Sequence, residues 1–190
     1  MQLKKHIPFF GNLRTEQQSQ SFKGFQDFNE WLGLPQKLGK DMPMFDYQLD
    51  WRQQILGHKH SIINKFVGAG ATEVIPRLML ELILTWPDLN YKQFGIITGT
   101  RIKFTMDVIK NRILPIITKN HPEVIESTKN EEIRFTNGRY IRGFPTENLS
   151  ALHGQHDLQF IFVDEAAFFH PNEQERLMIA LERNDTKSEP

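Results

Sequence analysis

The chain contains no cysteine among its 190 residues, which excludes a disulfide framework, a thiolate zinc site and a cysteine nucleophile. It carries no net charge, since 23 lysine and arginine residues balance 23 aspartate and glutamate residues. A protein that coats nucleic acid through bulk positive charge is therefore excluded, and any DNA contact must be local. No segment approaches the roughly 18 apolar residues of a membrane helix, and the N-terminal segment lacks a secretory core. These absences favour a cytoplasmic protein.

What is present is typical of a globular domain: 39% of the residues are hydrophobic and 11% are aromatic. Residues 1–42 form a polar leader in which five apolar residues recur at helical spacing. These residues are Phe22, Phe25, Phe28, Trp31 and Leu32. The spacing predicts an amphipathic helix that ends at Gly33 and packs on the core or, alternatively, binds a partner.

Strand and helix signals alternate after residue 60. SIINKFV predicts a buried strand, GAGAT a glycine turn, and EVIPRLMLELILTW a helix. FGIITGT, RIKFTMDVIKNRILPII and LQFIFVDEAAFF then predict a strand, a helix and a strand that ends in two acids. Further helices are predicted from Phe45 to Leu56 and over PNEQERLMIALE. This order predicts an α/β fold with a mainly parallel sheet and helices on both faces.

An antiparallel hairpin interrupts this alternation. In EEIRFTNGRYIRGF, Asn137 and Gly138 separate two runs of alternating polarity. Asn-Gly is the strongest short hairpin signal, and a type I′ turn with positive φ at both residues is expected.

The glycine turn has the composition of a phosphate-binding loop. A strand that enters such a turn and opens a helix directs backbone N–H groups and the positive helix end at one point. Against the pattern G-x-x-x-x-G-K-[ST], Gly70 and Thr72 match, but Lys65 replaces the first glycine and Ala71 replaces the lysine. We expect the Lys65 ammonium to bind the terminal phosphates. The alternative is a tight turn with a solvated lysine.

Two acids follow the last predicted strand. Phe160, Ile161, Phe162 and Val163 are the apolar residues of this strand. In open α/β sheets ligands bind at the carboxyl ends of strands. We expect Asp164 to hold Mg²⁺ through water and Glu165 to accept a proton from the water that attacks the γ-phosphate.

A third signal precedes the loop, in Phe45-Asp46-Tyr47-Gln48. The amide of Gln48 can accept from N6 and donate to N7 of adenine, and a nearby aromatic ring can stack on the base. Adenine is therefore favoured over guanine. The alternative is an exposed glutamine on a helix.

These signals, in this order, resemble the ATPase domain of large terminase subunits, the motors that package DNA into tailed-virus capsids. The resemblance covers residues 43–182 and rests on FDYQ, the loop that ends in GATE, FGIITGT, the Asn-Gly hairpin followed by SALHG, and VDEAAF. Some terminases carry the loop lysine at its first position, as Lys65 stands here.

The resemblance implies a RecA-like P-loop core of the ASCE class that binds and hydrolyses ATP with Mg²⁺. Lys65 and Glu165 would be catalytic, and Thr72 and Asp164 would hold the metal. The implied nucleotide-binding residues are Tyr47, Gln48, Gly68, Ala69, Gly70, Ala71 and Thr72. The implied partners are double-stranded DNA, the portal, the small terminase subunit and further copies of the chain, in the cytoplasm of a virus-infected host cell.

The sequence departs from the terminase pattern at two places. The loop lacks an arginine that family members often have, so Arg101 or a neighbouring subunit is expected to supply that charge. After Glu165 only one predicted helix and a frayed tail, residues 183–190, follow. We therefore expect an incomplete sheet, no nuclease domain, and a fragment, a split-gene product or a degenerate copy.

Two other functions remain open on the sequence. A helicase-like DNA translocase shares the strand, the loop and the acid pair. A nucleotide-binding or scaffold module that does not hydrolyse ATP would also fit, since Ala71 replaces the usual lysine. Arg134, Arg139 and Arg142 form a basic cluster on the hairpin, which either contacts DNA phosphates or is a solvated face.

Overall fold

The computed structural model describes residues 24–33, 36–37, 40–41, 45–58, 61–66, 68–86, 93–98, 102–144, 152 and 158–185. The helices are α1 (Phe25–Leu32), α2 (Asp46–Gly57), α3 (Ala71–Thr85), α4 (Ile102–Asp107), α5 (Leu114–Asn120) and α6 (Pro171–Asp185). A π-helical segment, Val108–Ile113, joins α4 to α5, and 3₁₀ turns cover Pro122–Val124 and Ala166–Phe168. The strands are β1 (Gln36–Lys37), β2 (Lys40–Asp41), β3 (Gln93–Thr98), β4 (Ile125–Thr128), β5 (Glu132–Phe135), β6 (Tyr140–Gly143) and β7 (Leu158–Asp164).

Five strands form the main sheet, in the order β4-β5-β6-β3-β7. Strand β3 pairs in parallel with β6 on one side and with β7 on the other. Strand β5 is antiparallel to both of its neighbours, so four of the five strands run in the same direction. The predicted α/β class with a mainly parallel sheet is therefore confirmed. Strands β1 and β2 form a separate two-stranded ribbon, which the sequence did not predict.

Both faces of the main sheet are covered, and the side chains of β3 alternate between the two faces. Phe94 and Ile96 belong to the larger core, which includes α3, α1 and the π-helical segment. Ile97 belongs to a smaller core with Leu177 and Ala180 of α6. This alternation follows from the two-residue period of a strand, and it places α3 and α6 on opposite faces of the sheet.

Helix α3 is the central helix of the larger core. Every residue from Val74 to Leu84 is buried, which explains its apolar composition around the whole circumference. Helix α1 packs on it through three buried side chains of the predicted amphipathic stripe. These are Phe25, Phe28 and Leu32. Core packing of the leader helix is thus confirmed, while Phe22 lies outside the described residues.

The predicted hairpin is present, but its predicted turn type is wrong. Of the two turn residues, Asn137 and Gly138, only Gly138 has a positive φ, of 79°. The Gly138 N–H donates to the carbonyl of Phe135 at 2.9 Å, and Phe135 N–H donates to the carbonyl of Arg139 at 2.8 Å. This is a three-residue loop, in which a turn is followed by a left-handed glycine, rather than a two-residue type I′ turn.

The predicted strand before the phosphate loop is also not observed. Residues 61–66 have no regular secondary structure, and Ile62 is 98% exposed. A short apolar run becomes a strand only where a neighbouring strand can pair with it, and the described sheet ends at β7. Lys65 therefore lies on an irregular segment. Helix α6 extends to Asp185, into the segment predicted as a frayed tail, and residues 186–190 lie outside the described part.

Candidate functional site

The loop between residue 61 and α3 resembles a phosphate cradle in its backbone. Gly68 and Gly70 both have left-handed conformations, with φ of 83° and 79°, which explains why glycine occupies both positions. Gly70 is the N-cap of α3, and Ala71 and Thr72 open the helix. The first N–H groups of a helix lack intrahelical partners and lie at its positive end. This helix end is therefore suited to bind an anion.

Asp164, the last residue of β7, lies directly against this helix end. Its Oδ2 accepts a hydrogen bond from Thr72 Oγ1 at 2.5 Å, and its Oδ1 lies 3.2 Å from Lys65 Nζ. The carboxylate is buried, with 4% of the residue exposed. The structure therefore brings Asp164 together with Thr72, from which the sequence separates it by 92 positions, and with Lys65 of the same loop.

The register of the sheet explains why the carboxylate lies at this point. Strand β7 pairs in parallel with β3, and Asp164 lies opposite Thr98 at the carboxyl ends of both strands. The side chains of β7 from Phe160 to Val163 are half-buried apolar groups that contact the two cores. Asp164 is thus the first residue of this strand that reaches the polar edge, where α/β sheets bind ligands.

Glu165 has an unusual backbone for a non-glycine residue. Its φ of 56° is the only positive value outside glycine among the described residues. Such a conformation costs on the order of 1–3 kcal/mol and is often found at functional sites. The Glu165 N–H donates to Asp164 Oδ1 at 2.9 Å, and the residue is exposed. Its role as a general base stays a prediction.

Tyr47 and Gln48 hold the loop from the side of α2. The Tyr47 hydroxyl and Gln48 Nε2 both donate to the carbonyl of Ala69, at 3.2 and 3.1 Å. Gln48 Oε1 accepts from the backbone N–H of Phe45 at 3.0 Å, as in a capping box. Gln48 is buried rather than an exposed helical glutamine. Its contact with adenine stays a prediction; the contact with the loop backbone was not predicted.

Aromatic rings surround Tyr47. The rings of Phe45 and Tyr47 stack with centroids 5.5 Å apart, and Phe66 lies 6.1 Å from Tyr47 at a tilt. Trp51 contacts Tyr47 edge-on at 5.2 Å. Phe45 and Phe66 are both exposed, so flat apolar surface is available beside the loop. Phe66 was not among the predicted site residues, although its position within the loop was a signal that it lies at the site.

An open cavity of about 230 Å³ lies between α2 and the segment 62–64. Its lining residues are Tyr47, Asp50, Trp51, Gln54, Ile62, Ile63 and Asn64. The cavity is smaller than a usual ligand pocket, and its lining shares only Tyr47 with the predicted site. We therefore locate the candidate site at the loop and at Asp164 rather than in this cavity.

The side chains of two arginines, Arg52 and Arg77, connect α3 to the neighbouring helices behind the loop. Arg52 donates to both oxygens of Glu81, at 2.9 and 2.7 Å. Burial raises the pKa of Glu81, and the hydrogen bond and charge of Arg52 oppose this rise. Arg77 is buried and donates to Gly33 O at 2.9 Å and to Asn29 Oδ1 at 3.3 Å. Burial lowers the pKa of Arg77. These contacts connect α3 to α2 and to the end of α1.

The basic cluster on the hairpin does not form one solvated face. Arg139 is buried and donates to the carbonyls of Leu82 and Ile83, at 3.3 and 2.7 Å, near the end of α3. Arg134 pairs with Glu132 at 2.6 Å. Arg139 therefore caps a helix and is unsuited to contact DNA. Arg101, the other arginine considered, lies outside the described residues.

Two features are absent from the described residues. No group of three or more histidine, aspartate or glutamate side chains gathers there into a metal site. No helix in the same part of the chain has the length and apolar character needed to cross a membrane. Asp164 and the Thr72 hydroxyl offer two oxygens of the kind that Mg²⁺ binds, and Mg²⁺ usually retains several waters and takes few protein ligands.

The sequence was compared with known protein families and with curated proteins. No family model matches the chain, and no curated protein matches it.

Proposed function

We propose that this chain is a nucleotide-binding and ATP-hydrolysing domain of the large-terminase type, with a P-loop core, that couples ATP hydrolysis to movement of double-stranded DNA into a capsid. The observation that carries the proposal is the contact of Asp164 with both Thr72 and Lys65 at the start of α3. Phosphate loops and strand-end acids are common separately. Their meeting within hydrogen-bonding distance supports a nucleotide site more strongly than either feature alone.

The chemistry of each group supports this assignment. The loop amides and the N-terminus of α3 would bind phosphate oxygens, and the Lys65 ammonium would neutralise the terminal phosphates. Thr72 and Asp164 supply the hydroxyl and carboxylate oxygens that Mg²⁺ prefers. Bound Mg²⁺ would neutralise charge that develops on the transferred phosphoryl group. Glu165, next to Asp164 along the chain, would orient water and accept its proton.

The residues in and beside α2 support adenine as the base of the bound nucleotide. Tyr47 and Gln48 are hydrogen-bonded to the loop backbone, so a base that contacts this helix would lie beside the phosphate loop. The exposed rings of Phe45 and Phe66 offer flat surfaces for stacking. The terminase assignment itself rests on the motif order described above, and the implied partners are DNA, the portal, the small terminase subunit and further copies of the chain.

One alternative is favoured by a specific observation. Ala71 occupies the position of the usual loop lysine and is buried at the start of α3. A module that binds ATP without hydrolysing it would keep the loop geometry and lack turnover. A helicase-like translocase would share the whole site and would differ in its DNA substrate and its dependence on a capsid portal.

The test measures ATP binding and ATP hydrolysis separately, with Mg²⁺ and with double-stranded DNA. We expect the parent chain to bind ATP and Lys65→Ala to lose binding by at least tenfold. Lys119→Ala is the matched control, because Lys119 is an exposed lysine on α5. Equal ATP affinity of Lys65→Ala and the parent would contradict the phosphate assignment. Binding without hydrolysis under all DNA conditions would select the non-hydrolysing module.

A further inference from the structure

The Asp164 carboxylate already has a cation beside it. Lys65 Nζ lies 3.2 Å from Oδ1, and the same oxygen accepts the Glu165 N–H at 2.9 Å. The other oxygen accepts the Thr72 hydroxyl at 2.5 Å. Both carboxylate oxygens are therefore partnered, and among the described residues Lys65 is the cation that balances the charge of this buried group.

The two partners of this ion pair differ in their surroundings. Asp164 is buried at the end of β7, whereas the Lys65 side chain is 31% exposed. Lys65 also lies on the irregular segment 61–66, outside the strand ladder. A lysine has a flexible four-carbon stem and a compact charge. Lys65 is therefore the partner that can leave, while Asp164 stays fixed by the sheet.

A divalent cation and the Lys65 ammonium would compete for the same carboxylate, that of Asp164. Two cations within a few ångströms of each other repel strongly where water is partly excluded. A bound triphosphate would change this balance, because its terminal oxygens offer the lysine a more negative partner.

We infer that Lys65 is the resident counter-ion of Asp164, and that a divalent metal binds Asp164 and Thr72 only after nucleotide phosphates have drawn Lys65 away. The inference rests on the proposed nucleotide site. It adds to that proposal an order of events: free metal binds poorly, nucleotide moves the lysine, and metal then binds well. Lys65 would thus protect the site against occupation by metal alone.

The test is a Mn²⁺ titration of the nucleotide-free protein that is monitored by NMR. Bound Mn²⁺ broadens the amide signals of nearby residues, so Thr72 and Glu165 report on the site. We expect Lys65→Met and Lys65→Gln to reach half-broadening at a Mn²⁺ concentration at least about tenfold lower than the parent. Lys65→Arg should behave like the parent because it keeps the charge. Lys119→Met controls for the loss of any lysine, and thermal melting checks that each variant is folded.

Two outcomes separate this inference from the proposed function. If Lys65→Met and Lys65→Gln bind Mn²⁺ no more tightly than the parent, the counter-ion inference is wrong, even where the parent binds ATP. If they bind Mn²⁺ more tightly while the parent chain does not bind ATP, Lys65 does balance Asp164 and the proposed function is wrong. Asp164→Asn should abolish the broadening at Thr72 in every background, and persistent broadening would show that the metal binds elsewhere.

Discussion

Gly70→Ala tests whether α2 holds the phosphate loop through Gln48. Two costs are expected at this position. The left-handed backbone, with φ of 79°, costs an alanine about 1–2 kcal/mol. The added Cβ would also lie 2.9 Å from Gln48 Nε2, closer than such atoms approach.

The Gln48 amide would therefore move and lose its hydrogen bond to the carbonyl of Ala69. A buried hydrogen bond of this kind contributes about 0.5–1.5 kcal/mol. We expect Gly70→Ala to lower the free energy of unfolding by roughly 1.5–3.5 kcal/mol in total, and to weaken ATP binding because the loop carbonyl shifts.

Gly68→Ala is the matched control for this prediction. Gly68 has nearly the same backbone conformation, with φ of 83°, but nothing lies within 4 Å of an added Cβ. Urea unfolding should therefore show only the backbone cost of about 1–2 kcal/mol. In a Gln48→Ala background the difference between the two glycine variants should disappear, as in a double-mutant cycle. Equal costs of both variants in the parent background would show that Gln48 does not hold the loop.

Three further predictions concern the helix behind the loop and the acid pair. Arg52→Ala should destabilise the fold by about 3–5 kcal/mol near neutral pH, because it leaves the buried Glu81 charge unpaired; urea unfolding from pH 5 to pH 8 checks this. Burial raises the folded-state pKa of Glu81, so the folded state binds this proton more tightly than the unfolded state does. The stability of Arg52→Ala should therefore fall as pH rises through that pKa. A loss of stability that does not depend on pH would contradict an origin in the Glu81 charge. Glu165→Gln should bind ATP as the parent does and lose about 10²-fold or more in hydrolysis, measured as single-turnover phosphate release; unchanged release would remove Glu165 from the base role. Leu78→Ala should cost about 2–5 kcal/mol in urea unfolding, because this fully buried side chain of α3 leaves a cavity, whereas a cost under about 1 kcal/mol would mean that the core collapses around it.

The elements with long periodic patterns were predictable from the sequence. Helix α3 and strand β7 are mostly apolar, and both were predicted with nearly correct bounds. The close approach of Asp164 to the loop was also expected. Asp164 ends a strand and the loop begins a helix, and α/β folds bring such ends to the same edge of the sheet.

Most of the features that were not predicted depend on partners outside their own segment of the chain. The segment 61–66 has a strand-like composition, but no described strand pairs with it. The Asn-Gly pair predicts a hairpin, yet the bond between Phe135 and Arg139 selects a three-residue loop. The contacts of Gln48 with Ala69 and of Arg139 with the end of α3 join residues more than 20 positions apart. Composition and spacing within one segment do not encode such contacts.

An NMR titration of the chain with ATP and Mg²⁺ examines the proposed nucleotide site itself. We expect saturable amide shifts from Gly68 to Glu73, which follow the loop into α3, and at Asp164 and Glu165 at the end of β7. In Asp164→Asn, ATP should still shift the amide signals of the loop. The part of the shift that depends on Mg²⁺ should be absent. Saturable shifts confined to the cavity beside Trp51, or no saturable shift at millimolar ATP, would contradict a phosphate and metal site formed by this loop and Asp164.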